Sequence, residues 1–334
     1  MVRVYFMWEA GGDLKEFIRS GLQYIESKLY FKDELNEVEI DNVISEMDIL
    51  VGWRPSEKLL KKAKNLSLFI NPGAGVQHLK IFKDIFKEQN ITVINGHGNA
   101  YFTAQHTVAI LLSLMNKVNF HHNAMVDGKW RLGDSEAASI PLRDRKIGFL
   151  GYGHVNSLVH KFLSGFDVEF SVLKRTENRR YEYPTSTTEY KSENMDIFLK
   201  NIDILIIAIP LTDQTTDLIG QKELDLLGKD GIVVNVGRGP IVNEKALYEA
   251  LKENQITSSA IDVWYDYQCE ANAEGKRYPF NYPFNELDNV LLSPHRAASP
   301  FSDLKRWNEV VDNIKRFSLR RTDFLNIVNL DEGY

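Results

Sequence analysis

Cysteine is nearly absent: the 334 residues contain one, Cys269. A single thiol builds neither a disulfide framework nor a cysteine-rich zinc site within a chain, and it fits a cytoplasmic setting. Long apolar runs are missing too. No stretch approaches the ~18 residues that span a bilayer. The N-terminal MVRVYFMWEAGGDLKE turns acidic too soon for a secretory signal, so no membrane contact is expected. Charge of one sign is not in large excess. The net charge of −6 is spread over both signs and offers no broad basic surface to nucleic acid. The eight histidines show no metal-site spacing, and no metal is expected. No repeat and no low-complexity tract is visible. What is present is an ordinary globular mixture, 43% hydrophobic and 26% charged, long enough for about two domains.

Short apolar runs alternate with amphipathic stretches, the rhythm of parallel α/β structure. VRVYFM (2–7), DILVGW (48–53), LSLFINP (66–72) and ITVING (91–96) read as strands, with a helix over 12–29. A long helix, buried in its first half, is expected over 103–128. A second series follows, with strands at 146–151, 168–173, 203–210, 231–237, 257–264 and 289–294 and helices at 154–164, 221–227 and 243–254. A tail helix near 300–320 and a strand-like FLNIVNL (324–330) close the chain. The expected fold is two doubly wound parallel-sheet domains. One comprises 1–103 and 299–334, and 104–298 is inserted in it.

Ligands in such sheets bind at the carboxyl ends of the strands. In the second series those ends read GYGHVN, LKRTENRR, IPLT, VGRGP, DVWYD and SPHRA. Gly151 and Gly153 stand as the first two glycines of a dinucleotide turn, one for the tight turn and one for close approach of a pyrophosphate. Asn156 replaces the third glycine and should widen the packing of helix on strand. The cofactor expectation covers Gly151, Gly153, His154 and Val155 here, with Val236 and Gly237 at a later strand end. At the next strand end an acid would take the ribose hydroxyls of NAD. Lys174, Arg175 and Thr176 stand there instead, followed by Arg179 and Arg180, which favours NADP(H) over NAD(H). A solvated basic loop would read the same way. Arg238, between glycines, has the planar fork that grips a carboxylate, unless a structural carboxylate occupies it. His295, fixed by Pro294, is suited to proton exchange near neutral pH. Arg54 could meet a second acidic group, and Trp53 beside it is equally well explained by core packing.

Together these stretches resemble the D-isomer-specific 2-hydroxyacid dehydrogenases, glyoxylate/hydroxypyruvate reductases among them. GFLGYGHVN is similar to the family's cofactor turn, and DILIIAIPLTDQTTDLIGQKELDLLGKDGIVVNVGRGPIVNEKALYEAL to its long signature. AIDVW and NVLLSPH look like the later motifs, INPGAGVQHL (70–79) like the substrate-carboxylate loop, and NAYFTAQHTVAILLSL like the interdomain helix. The resemblance implies a Rossmann domain inserted in a flavodoxin-like substrate domain, a homodimer, and lobes closing over a cleft. It implies hydride transfer between NAD(P)H and a small 2-keto or 2-hydroxy acid. Arg238 would hold the substrate carboxylate and carbonyl, and His295 would give the proton. Backbone amides of Ala74, Gly75 and Val76 would hold the carboxylate near Asn99. Pro210 and Asp262 would line the nicotinamide.

Two departures stand out. The family carries a glutamate five residues after the aspartate of DV, raising the histidine pKa; here that position is Tyr267. Arg296 follows His295 where an apolar residue is usual. Without the carboxylate the imidazolium is less stabilised. The alternative is a catalytically weak, dinucleotide-sensing regulatory protein of the same fold. Retention of both Arg238 and His295 speaks against it. A formate-dehydrogenase-like oxidase would need glutamine at position 267.

Overall fold

The computed structural model describes residues 1–131, 133, 137–175 and 182–334. The apolar runs form two all-parallel sheets. β1 (Val2–Phe6), β2 (Ser27–Phe31), β3 (Ile49–Val51), β4 (Leu68–Asn71) and β5 (Thr92–Asn95) pair in the order β2-β1-β3-β4-β5. The second sheet holds β6 (Lys146–Leu150), β7 (Glu169–Lys174), β8 (Thr187–Lys191), β9 (Ile204–Ile207), β10 (Ile232–Asn235), β11 (Ser258–Ile261) and β12 (Val290–Leu292). Its order is β12-β11-β10-β9-β6-β7-β8. The chain accordingly divides into one unit of Met1–Asn99 with Pro300–Tyr334 and another of Ala100–Ser299. The first order is flavodoxin-like; the second is the six-stranded dinucleotide-binding order with one strand added. The two doubly wound domains expected from the sequence are therefore what the chain builds.

Burial explains why these runs lack a polar face. β4, β9 and β10 are buried at every residue because helices cover both sides of the sheet. Alternation still sorts their side chains. Ile204 and Ile206 enter a core with Phe149 and Phe170, whereas Leu205 and Ile207 enter one with Phe198 and Phe284.

Four expectations are corrected. The helix over 12–29 stops at Gly21, and Ser27–Phe31 is a strand beside β1. A Cβ on Gly21 would lie 2.9 Å from Val311 Cγ1, so the close approach of the tail helix needs glycine there. The long helix over 103–128 is two, Ala100–Met115 and Val118–Val126, broken where Lys117 takes a left-handed φ of 50°. β8 has no apolar run to announce it, since an edge strand of sequence TTEYK is buried nowhere. FLNIVNL is no strand: it makes a single antiparallel bridge, Ile94 to Ile327. Within 300–320 the α-helix is Asn308–Ser318, preceded by a tighter 3-10 turn, Leu304–Trp307. No helix among the described residues is long and apolar enough to cross a membrane.

Candidate active site

At the end of β6 the chain turns into the helix His154–Leu163. Gly151 has φ 77°, and a Cβ there would come within 2.3 Å of Ile209 Cγ2, so the fold itself demands glycine. Gly153 differs. Its φ of −103° suits any residue, and a Cβ would meet nothing within 4 Å. No contact among the described residues explains this glycine, and the uncapped helix start beside it leaves room for a ligand on the backbone. His154 is exposed and Val155 half-buried on the first turn. Asn156 binds the turn instead of simply spacing it. Fully buried, its Nδ2 donates to the carbonyls of Leu150 at 3.3 Å and Gly151 at 2.7 Å. Behind the turn, buried Tyr152 bonds His160 Nδ1 at 2.9 Å, and Thr185 meets Nε2 at 2.8 Å. Burial pushes the His160 pKa down to about 4, so it is a neutral packing group.

The basic strand end has an unexpected partner. Lys174 Nζ lies 2.5 Å from Glu189 Oε2 on β8, and Tyr183 donates to Glu189 Oε1 at 2.6 Å. The Lys174 bond holds the Glu189 carboxyl below the usual range. A carboxylate therefore does reach this strand end, from a neighbouring strand and not from β7. Arg175 is exposed; Thr176, Arg179 and Arg180 lie outside the described residues.

The next ends carry the cation and the imidazole. Pro210 is exposed after β9, its carbonyl taking the Thr215 hydroxyl at 2.8 Å. Val236 and Gly237 are buried after β10. A Cβ on Gly237 would lie 3.0 Å from the Ile209 carbonyl oxygen, and one on Gly239 would lie 2.4 Å from that of Trp264. Arg238 is thus held between two neighbouring strand ends. Its Nη1 donates to the Gly237 carbonyl at 2.7 Å, and burial lowers its pKa. Among the described residues no carboxylate pairs with it.

Asp262, 1% exposed, fastens the loop that carries His295. It accepts from the Ser293 hydroxyl, from the Arg296 amide at 2.7 Å and from the Ala297 amide at 2.9 Å. His106 Nε2 bridges to Ser293 Oγ at 2.9 Å. Burial pushes the Asp262 carboxyl up, but the bonds from His106, Ser293 and the two amides outweigh it, and the net shift is downward. With its lone pairs so engaged, Asp262 acts here as the loop's anchor. His295 takes φ 56°, and its amide donates to the Ser293 carbonyl at 3.0 Å. The residue keeps an exposed surface, yet desolvation lowers its pKa; Asp262 pulls it up and Arg238 pushes it down. Tyr267 packs its ring 5.3 Å from the imidazole and accepts the Trp264 amide at 3.1 Å.

In the first unit, residues 73–76 follow β4. Asn71 Nδ2 holds the Gly73 and Gly75 carbonyls, and Asn95 Nδ2 holds that of Ala74 at 2.8 Å. With the carbonyls tied inward, the amides of Gly73, Ala74, Gly75 and Val76 have no acceptor among the described residues. Such a row of donors suits an anion. Asn99 ends this stretch of the unit, and Arg54 is exposed.

Residues 108–297 match the model of the D-isomer specific 2-hydroxyacid dehydrogenase NAD binding domain. The chain is 28% identical over 288 residues to a glyoxylate/hydroxypyruvate reductase of Arabidopsis thaliana, covering 85% of this chain and 83% of that one. It is 32% identical over 251 residues to a D-3-phosphoglycerate dehydrogenase of Archaeoglobus fulgidus, covering 72% of this chain but only 43% of that longer protein. In fold it is similar to an NADPH-dependent glyoxylate/hydroxypyruvate reductase of Sinorhizobium meliloti, with a TM-score of 0.74 and 20% identity, covering 99% and 98% of the two chains. The chain belongs to the D-isomer specific 2-hydroxyacid dehydrogenases. It is a nicotinamide-dependent enzyme of that family.

The open space at Gly153 fits a dinucleotide on its own account. What distinguishes this dehydrogenase from the pattern of its family is Tyr267, a phenol beside the imidazole where a carboxylate is usual. Burial raises the Tyr267 pKa; the Trp264 amide and Arg238 oppose this, and Asp262 adds to it. The phenol stays neutral and supplies no countercharge. Glu189, Tyr183 and His106 were not foreseen. Glu189 and Tyr183 lie outside any recognisable motif, and His106 reaches its partners only through folding.

Proposed function

We propose that this chain reduces a 2-keto acid of the glyoxylate or hydroxypyruvate kind to the D-2-hydroxy acid, with NADPH preferred to NADH. Residues 104–298 serve the cofactor, and 1–103 with 299–334 serve the substrate. The observation that carries the reading is Arg238, a desolvated guanidinium with no carboxylate on it among the described residues. A structural arginine in that position would have found a partner, because an uncompensated buried charge is costly. A substrate carboxylate would compensate it.

The nicotinamide supplies the hydride. Gly151, Gly153, His154 and Val155 would hold the pyrophosphate at the helix start, with Lys174 and Arg175 on the ribose side; Thr176, outside the described residues, is assigned from the sequence alone. Pro210, Val236, Gly237 and Asp262 would border the nicotinamide. Asp262 does so through the loop it anchors. Amides of Ala74, Gly75 and Val76 take the substrate carboxylate, with Asn99 and Arg54 nearby. Arg238 binds the substrate and stabilises charge growing on the carbonyl oxygen, which is worth most where water is excluded. His295 protonates that oxygen. Its lowered pKa makes it a stronger acid, present as imidazolium in a smaller fraction at neutral pH.

The NADPH preference rests on Lys174 and Arg175 and is moderated by Glu189, whose carboxylate already neutralises Lys174. A homodimer in the cytoplasm is the assembly we propose. Exposed Val118, Phe120, Val126 and Trp130 supply apolar surface for a second copy. A dinucleotide sensor would explain Gly153 but not an Arg238 that has no carboxylate among the described residues.

The test is steady-state reduction of a 2-keto acid panel with NADPH and NADH. Turnover on some member, falling at least a hundredfold in Arg238→Ala while the Kd for NADPH holds, is expected. Tight cofactor binding without turnover on any member refutes the reductase reading. Glu189→Gln should raise the NADPH-to-NADH ratio of kcat/KM, and an unchanged ratio removes Glu189 from cofactor choice.

A further inference from the structure

Three of the five tryptophans meet at one place, the carboxyl edge of the first unit's sheet. Trp8 lies two residues beyond β1 and Trp53 two beyond β3, and Trp307 comes from the turn Leu304–Trp307. The Trp8 and Trp307 rings stack at 5.3 Å, and Trp53 stands edge-on to both, at 5.0 Å and 6.1 Å. Trp8 and Trp307 each rest one side on the core around Ile18, Phe31 and Val311. Trp53 joins neither core of the unit and stays 37% exposed. Core packing therefore accounts for Trp53 only in part: it leans on Trp8 and Trp307, and more than a third of it stays open.

The indole lies directly on the row of amide donors. A Cβ on Gly73 would sit 3.2 Å from Trp53 Nε1 and 3.6 Å from its Cδ1, so glycine is what lets ring and loop meet. The Nε1–H has no acceptor among the described residues. One surface thus offers backbone donors for an anionic head, an indole donor beside them, and an aromatic face continuing away. A two-carbon keto acid would use the donors and leave the aromatic face bare. An acid with a ring on its third carbon would use both.

We infer that the substrate is a 2-keto acid with an aromatic side chain, of the arylpyruvate class, and that Trp53 determines this specificity. The inference keeps the reductase reading above, on which it rests, and puts an aromatic acid in place of the small glyoxylate-kind substrate proposed there. Stacking on the indole and removal of apolar surface from water together favour the aromatic acid by at least tenfold over glyoxylate.

The experiment measures kcat/KM for phenylpyruvate and glyoxylate with saturating NADPH in the wild type, Trp53→Leu and Trp53→Phe. Thermal melting of each variant confirms folding. The phenylpyruvate-to-glyoxylate ratio should exceed ten, fall at least tenfold in Trp53→Leu, and recover in large part in Trp53→Phe. A wild-type ratio near one, or a ratio unmoved by Trp53→Leu, overturns the inference and leaves the reductase reading intact. If neither of these acids is reduced but another 2-keto acid is, the inference is overturned; if none is reduced, the reductase reading fails, and calorimetric titration with phenylpyruvate decides the site. Binding that weakens at least tenfold in Trp53→Leu sustains it, and absence of binding to the wild type overturns it.

Discussion

Replacing Tyr267 by glutamate should move the pH profile of reduction upward by about one pH unit. In the wild type, desolvation and the Arg238 charge hold the His295 pKa below its ordinary value, and the neutral Tyr267 phenol does not oppose them. A proton donor in reduction must be imidazolium. Its fraction falls as pH rises through that lowered pKa, so wild-type reduction declines from below the ordinary ~6.5. Oxidation needs neutral imidazole and persists above it. A carboxylate about 5 Å away, near the present 5.3 Å ring separation, attracts an imidazolium by roughly 3 kcal/mol at an effective dielectric of about 20. Tyr267 is 55% exposed, so solvent screening removes about half of this. The remaining ~1.5 kcal/mol is about one pH unit. Because Arg238 also faces this position, KM is followed separately, since capture of the new carboxylate by Arg238 raises KM without moving the profile. The assay is kcat/KM for reduction from pH 5 to 9 in both proteins. Superimposable profiles for Tyr267→Glu and wild type refute the reasoning, as does a wild-type rate flat to well above pH 8.

The two glycines of the dinucleotide turn should separate folding from binding. Gly151→Ala meets both a positive φ and Ile209, and should cost about 2 kcal/mol or more in urea unfolding. Gly153→Ala should stay within about 1 kcal/mol of wild type in stability and weaken NADPH binding at least tenfold; unchanged binding would show that the open space is not the pyrophosphate's. Asp262→Ala strips charge-assisted bonds from Ser293, Arg296 and Ala297 and should destabilise the protein by about 3–5 kcal/mol. Because the folded-state pKa of Asp262 is lowered, its stabilisation is complete above the unfolded value of ~4 and is lost as pH falls through the folded one. A loss under 1 kcal/mol at pH 7, or one independent of pH below 4, would contradict this.

The sequence by itself determined the two parallel sheets, because buried strands such as ILII and IVVN are apolar except where a polar residue such as Asn235 is hydrogen-bonded at the strand end, and so announce themselves. It also determined the glycine turn after β6 and the positions of Arg238 and His295 at strand ends, since glycine and proline mark such ends. It did not disclose β2, whose short LYF run merged with the helical pattern before it, or β8, an edge strand with no apolar run. Only the tertiary structure decided what meets across strands. Glu189 reaches Lys174 from a neighbouring strand, 15 positions along the chain, and pairs with its charge. Asp262 became an anchor because folding brought the amides of Arg296 and Ala297 onto its oxygens. Trp8, Trp53 and Trp307, each explicable alone as a core residue, form an aromatic wall only because β1, β3 and the tail end at one edge. Local pattern specifies which face a residue takes; which residues share that face is fixed by pairing order, and pairing order is a property of the whole sheet.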